Sequence, residues 1–230
     1  MKKKINEEEG QPLTEDDLQE LLVTANESAL LKETLKELGN IFFMGEVNEE
    51  TANGLISSMI TFKELTEKMK EPVEETAESE EGTEEEKAEP EEPNPIKVYI
   101  STQGGNADDM FAIYDVMEMV KRSVPIQTIG LGKVMSAGVL LLAAGTKGKR
   151  KIGRHARVMI HNVITGHSGG LFHVANELGE AEHIQQMYIS AIAENSNLTV
   201  KQLRKMVKTG QNVYLSAQEA IKYGIADELI

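Results

Sequence analysis

Ser136 stands alone in GKVMSAGVLLLAAG (132–145), a run otherwise almost wholly apolar or small. A strand ending in glycine, then a serine, then an apolar helical stretch exposes the hydroxyl at a helix N-terminus. Backbone N–H groups converge there and the dipole favours negative charge, which suits a nucleophile. A serine in that place is more simply a helix cap or a small residue in tight packing. The chemistry therefore depends on what else the chain supplies. Acyl transfer through a serine needs a base for the Oγ proton, a group that orients the base, and donors facing the developing oxyanion. Of the five histidines, His173 and His183 fall on a long helical pattern, His155 in a basic turn and His167 in a glycine-rich loop. Only His161 ends an apolar strand, VMIH, which would hold it rigidly near a buried site. Such a histidine is otherwise an ordinary hydrogen-bonded structural residue, and its pairing with the serine makes it the candidate base. The even spacing of His155, His161, His167 and His173 crosses strand, loop and helix and matches no ligand motif, so no metal is expected. Oxyanion donors are available in Gly104-Gly105, where a missing Cβ lets backbone approach a substrate, and in the amide of Ala137 beside the serine.

These residues need elements to position them, and from Ile96 the pattern alternates strand, turn and helix. IKVYIST (96–102) reads as a buried strand, QGGN (103–106) as a turn, and 107–123 as an amphipathic helix with an acidic first turn suited to the helix dipole. VPIQTIGLG (124–132) is a strand running toward Ser136, VLLLAAG (139–145) a buried helix and RVMIHN (157–162) a strand. A long helix follows over 171–196, then two short helices and a terminal strand. Upstream, Thr14 and Asp17 mark a capped amphipathic helix over 14–38, IFFMGEV (41–47) a strand, and 48–65 a helix. Strands alternating with helices predict an α/β domain.

Composition sets the outer bounds. A chain of 230 residues, 40% hydrophobic, buries one substantial core. Its longest apolar run, Val134–Ala144, is far short of the roughly 20 residues that cross a bilayer, and MKKK leads into INEEEG and not into an apolar signal. No membrane association is expected. The absence of cysteine excludes disulfides, thiolate metal sites and a cysteine nucleophile, and favours a cytoplasmic setting. A net charge of −14 argues against nucleic-acid binding. Most of that charge sits in one place, since residues 71–92 carry twelve glutamates and one lysine. The segment 71–95 cannot bury enough apolar area to order itself and reads as a disordered acidic insertion, with an arm for a basic partner as the alternative.

From about Leu30 to Ile230 the chain resembles the proteolytic subunit of the Clp protease, ClpP. The resemblance rests on IFFMGEV, YISTQGGN followed by AIYDVM, VMSAGVLLLAAGTKGKR, VMIH and YLSAQEAIKYGIADEL, in family order and near-family spacing. It implies a crotonase-like fold of stacked strand-strand-helix units with a long handle helix at 171–195. It also implies heptameric rings paired face to face as a tetradecamer, an AAA+ unfoldase as partner, unfolded polypeptides as substrates and no cofactor. Residues 39–230 would form the peptidase domain, and 1–38 an N-terminal polar segment and helix. By position, Ser136 is the implied nucleophile, His161 the base, and Gly105 and Ala137 the oxyanion donors. The glycine-rich segment 166–170 would line the peptide site.

Three departures accompany it. Thr102-Gln103 stands where the family has Ser-Pro, which predicts a less rigid approach to the oxyanion site. The acidic insertion enlarges a short link. The family's catalytic aspartate, counted back four residues from Ser216, falls on Asn212, and no aspartate occurs between Asp115 and Asp227. An asparagine oxygen can accept the imidazole N–H and hold its tautomer, but it supplies no charge to stabilise the imidazolium. The expected activity is a serine endopeptidase of the Clp type, reduced by the missing charge. The alternatives are a catalytically silent ring subunit and a crotonase-type enzyme acting on acyl-CoA thioesters. The retained Ser136 and His161 speak against the first, and crotonase chemistry needs no nucleophilic serine.

Overall fold

A computed structural model describes residues 38–69, 94–208 and 210–230. The expected helix over 14–38, apart from Leu38, and nearly all of the acidic insertion lie outside the described residues. Strand β1 (Asn40–Val47) leads into helix α1 (Glu49–Lys68), whose Asn48 cap and Thr51 form a reciprocal capping box. Strand β2 (Ile96–Gly105) pairs parallel with β1, so the chain crosses over through α1. Helix α2 (Ala107–Val120) starts where the Asn106 side chain accepts from the N–H groups of Asp108 and Asp109, and β3 (Ile126–Met135) returns parallel to β2. One face of this sheet is buried and the other is not: in β1 Phe43 and Val47 are buried, while Phe42 and Met44 on either side of Phe43 are exposed. In β2 one face alternates strictly inward through Ile96, Val98, Ile100, Thr102 and Gly104.

Two boundaries fall later than the sequence predicts. The expected turn at 103–106 is strand through Gly105, because Glu46 and Val47 pair with Gly104 and Gly105 past an irregularity in the register. Likewise β3 does not stop at Gly132. It passes through that glycine (φ +58°) and continues to Met135, because its end finds a second partner. The first part of β3 pairs with the short β4 (Lys151–Ile152), and Lys133–Met135 pairs with β5 (Arg157–Ile160). The glycine lets one strand serve two neighbours. Helix α3 (Ala137–Ala143) begins directly after Ser136, two residues earlier than predicted, and all seven of its residues are buried.

The long helix α4 (Leu171–Glu194) and the shorter α5 (Val200–Val207) follow. Next comes β6 (Val213–Leu215), a strand the sequence pattern does not reveal, which runs antiparallel to β5 with Ile160 opposite Val213. Helix α6 (Ala217–Lys222) and β7 (Glu228–Leu229) close the chain, β7 parallel to β4. Among the described residues no helix is long and apolar enough to cross a membrane.

One buried ion pair fastens the C-terminus. Arg150, 4% exposed, donates through Nε to Asp227 at 2.8 Å, through Nη2 to the same carboxylate, and through Nη1 to the Ala143 and Asn195 carbonyls. Burial by itself raises the Asp227 carboxyl. The Arg150 bonds and charge and the Gly148 N–H outweigh it and hold the group below the ordinary carboxylate range. Its stabilisation is present at neutral pH and is lost as pH falls through that lowered value. Asp227→Asn should therefore lower the melting temperature most at pH 6–7, with the gap to wild type closing below about pH 4, where the unfolded carboxyl is protonated. Melts at both pH values check this, and a gap of constant size would contradict it.

Candidate active site

Ser136 lies between the last residue of β3 and the first of α3, and its backbone is strained there. With φ 54° and ψ −121° it is the one non-glycine residue of positive φ among the described residues, in a region ordinarily left to glycine at the first corner of a type II′ turn. Its side chain makes no capping bond, so the simple helix-cap role is not what the residue does. Instead its N–H donates to the Met159 carbonyl of β5 at 2.8 Å, and its carbonyl accepts from Val139 N–H at 2.9 Å and from the Tyr188 hydroxyl at 2.8 Å.

The Gly-Gly segment of β2 lies against this serine. A Cβ added at Gly104 would come within 2.5 Å of Ser136 Cβ and 2.9 Å of its Oγ, so only glycine permits the approach. One at Gly105 would lie 2.1 Å from the Val47 carbonyl oxygen. Both residues standing in for Ser-Pro tie the segment down. The buried Thr102 hydroxyl accepts from Gly104 N–H at 3.0 Å, and the Gln103 side chain accepts from Lys133 Nζ at 2.9 Å. The loosening expected from the missing proline thus meets two compensating bonds. Ala137 opens α3, whose first N–H groups have no carbonyl partner within the helix.

A cleft of about 600 Å³ brings Gly104, Gly105, Ser136, Ala137 and His161 together, with Tyr188, Glu177 and His167 also on its wall. His161 follows β5 directly, and the bond from Ser136 N–H to Met159 fixes the two segments side by side. Ser136 and His161 line the same cleft, with no hydrogen bond between the serine hydroxyl and the imidazole. Burial lowers the His161 pKa, since it disfavours the charged imidazolium. If His161 is the base, only its neutral form accepts the serine proton. The acid limb of kcat/KM should then fall below the ordinary histidine value of about 6.5, and activity should extend to lower pH. A midpoint above 7 would rule this out.

Asn212 is not on that cleft. It is exposed, and its amide donates to the Tyr214 hydroxyl at 3.4 Å. The β5–β6 ladder ends at the Ile160–Val213 pair, and His161 and Asn212 are the next residues outside it. His167 and His173 lie 3.6 and 4.0 Å from the Glu177 carboxylate, the first across the mouth of the cleft. Sequence reasoning missed Tyr188 altogether, because nothing in a helix 52 residues away signals a bond to the serine carbonyl.

The family described as Clp protease matches residues 85–230, well over half of the chain. The ATP-dependent Clp protease proteolytic subunit 1 of Corynebacterium glutamicum is 36% identical over 135 residues, covering 58% of this chain and 63% of that protein. The proteolytic subunit 4 of Rhodococcus jostii is 34% identical over 135 residues, 59% of this chain and 68% of that protein. The chain thus spans about two thirds of the length of these curated relatives. The family model covers well over half of the chain, and the mixed α/β fold on a mainly parallel sheet is consistent with it; the chain belongs to the Clp protease family.

Proposed function

We propose that the chain is a serine peptidase subunit of a Clp-type compartmentalised protease. In this reading Ser136 Oγ attacks the peptide carbonyl while His161 takes its proton. The N–H groups of Gly105 and Ala137 stabilise the oxyanion, and His161 returns the proton to the departing amine before water releases the acyl chain. Unfolded polypeptides are the substrates, delivered by an AAA+ unfoldase into a chamber of two heptameric rings in a cytoplasmic setting. The observation that carries the reading is the strained Ser136, held with its side chain against Gly104 at the wall of the cleft that also contains His161. The Ser136 hydroxyl caps nothing, so a helix cap does not account for a side chain at that cost in backbone energy. Incubation of the full chain with a fluorophosphonate probe should place the adduct on Ser136 by peptide mass mapping. An unlabelled chain, in its assembled state, would overturn the reading.

A second reading, a catalytically silent ring subunit, draws on Asn212, whose amide contacts Tyr214 and not His161. Asn212→Asp separates the two. A carboxylate at the same ladder end as His161 would stabilise the imidazolium, so turnover of a fluorogenic peptide at neutral pH should rise by about tenfold and the acid limb should move up. Asn212→Ala should lower turnover. A silent subunit stays silent in both.

A further inference from the structure

Three hydrogen bonds hold the strained Ser136, one from each of three elements. Its N–H reaches Met159 on β5, and its carbonyl is held by Val139 N–H within α3 and by the Tyr188 hydroxyl from α4. Only the last comes from a side chain, and Tyr188, on α4, is 5% exposed and lines the cleft. The Ser136 carbonyl and the Ala137 N–H belong to one planar trans peptide, so they point in opposite directions. Whatever fixes the carbonyl fixes the N–H.

We propose that Tyr188 is a positioning residue for the oxyanion site: its O–H anchors the Ser136 carbonyl in the interior and thereby aims the Ala137 N–H of the same peptide at the cleft. This rests on the peptidase reading given above. The hydroxyl does two things for the reaction. It keeps the strained peptide from relaxing by rotation, which would swing a carbonyl oxygen toward the place where the oxyanion forms. It also holds the donor at the fixed angle on which oxyanion stabilisation depends. Tyr188 touches no reacting atom in this scheme and acts through the peptide alone.

Tyr188→Phe in the full chain removes the O–H and keeps the ring. The expected result is a fall in kcat of about tenfold, less than deletion of a donor would cause, because the Val139 bond still holds the carbonyl. KM should stay within about twofold, since substrate in its ground state does not need the donor. The rate of fluorophosphonate labelling should fall in parallel. Burial raises the phenol far above neutrality, so the ratio of wild-type to variant kcat should be constant from pH 6 to 9. A purely structural tyrosine would instead lower the melting temperature and leave kcat per folded chain, scaled by circular dichroism, unchanged. An unchanged kcat, or a loss confined to KM, overturns the proposal. Ser136→Ala, measured alongside, separates the two levels. If it retains hydrolysis, the peptidase reading fails. If it is inactive while Tyr188→Phe matches wild type, only the positioning role fails.

Discussion

Ser136→Ala should lower peptide hydrolysis by at least about 10³-fold, and Ser136→Gly should be as inactive yet more stable than wild type. The first result follows from losing the nucleophile. The second follows from φ 54° and ψ −121°, which cost a side chain about 1–3 kcal/mol and cost glycine nothing. Glycine returns part of that gain through the larger freedom of its unfolded chain, roughly 0.5–1 kcal/mol, leaving a net stabilisation of about 1 kcal/mol. In a chain of this size that is a rise in melting temperature of about 2–4 °C. Alanine keeps the strain and should melt close to wild type. The pair of variants separates a residue retained for chemistry from one retained for structure. If glycine destabilises the fold, the strain argument fails, and if alanine stays active the nucleophile lies elsewhere.

Much of this site was legible in the sequence, and the limits of that legibility are physical. VMSAGVLLLAA announces a buried helix after a serine because nothing polar interrupts it, and VMIH announces a buried strand for the same reason. Periodicity cannot say where a strand ends when pairing continues past a glycine. The ends of β2 and β3 therefore lie beyond where the sequence pattern stops, although both lead to residues that line the cleft. β4 and β6, of two and three residues, exist only because a neighbour pairs with them, and so they leave no local pattern. The pairing of Ile160 with Val213 is set by the β5–β6 register, which no count along the chain supplies. Counting equates Asn212 with the family aspartate, whereas its amide meets the Tyr214 hydroxyl and it does not line the cleft that holds His161. Tyr188 was invisible for a different reason. A tyrosine on a helix face reads as packing until a partner for its hydroxyl is seen.

Gly105→Ala should damage both fold and activity, and Gly54→Ala should damage neither. At Gly105 a Cβ would meet three backbone atoms of the fully buried Val47: the carbonyl oxygen at 2.1 Å, and the carbonyl carbon and the nitrogen at 2.8 Å each. None of these is the free end of a side chain that could swing away. The Val47 carbonyl also accepts the Asn106 N–H at 2.8 Å, immediately before α2. Relief of the clash would therefore pull β1 off β2, or strip α2 of a bond at its start. Either is an overpacking strain at the upper end of about 1–3 kcal/mol. The same movement carries the Gly105 N–H away from the cleft. If that group is an oxyanion donor, hydrolysis should fall by about 10²-fold or more in whatever fraction remains folded. At Gly54, in α1, nothing lies within 4 Å of the added carbon, and alanine should be neutral or stabilising by up to about 1 kcal/mol. Thermal melts and kcat per folded chain for the two variants measure both effects. A Gly105→Ala chain that melts and turns over like Gly54→Ala would mean that the β1–β2 contact yields easily, and that the backbone at Gly105 does not hold the transition state.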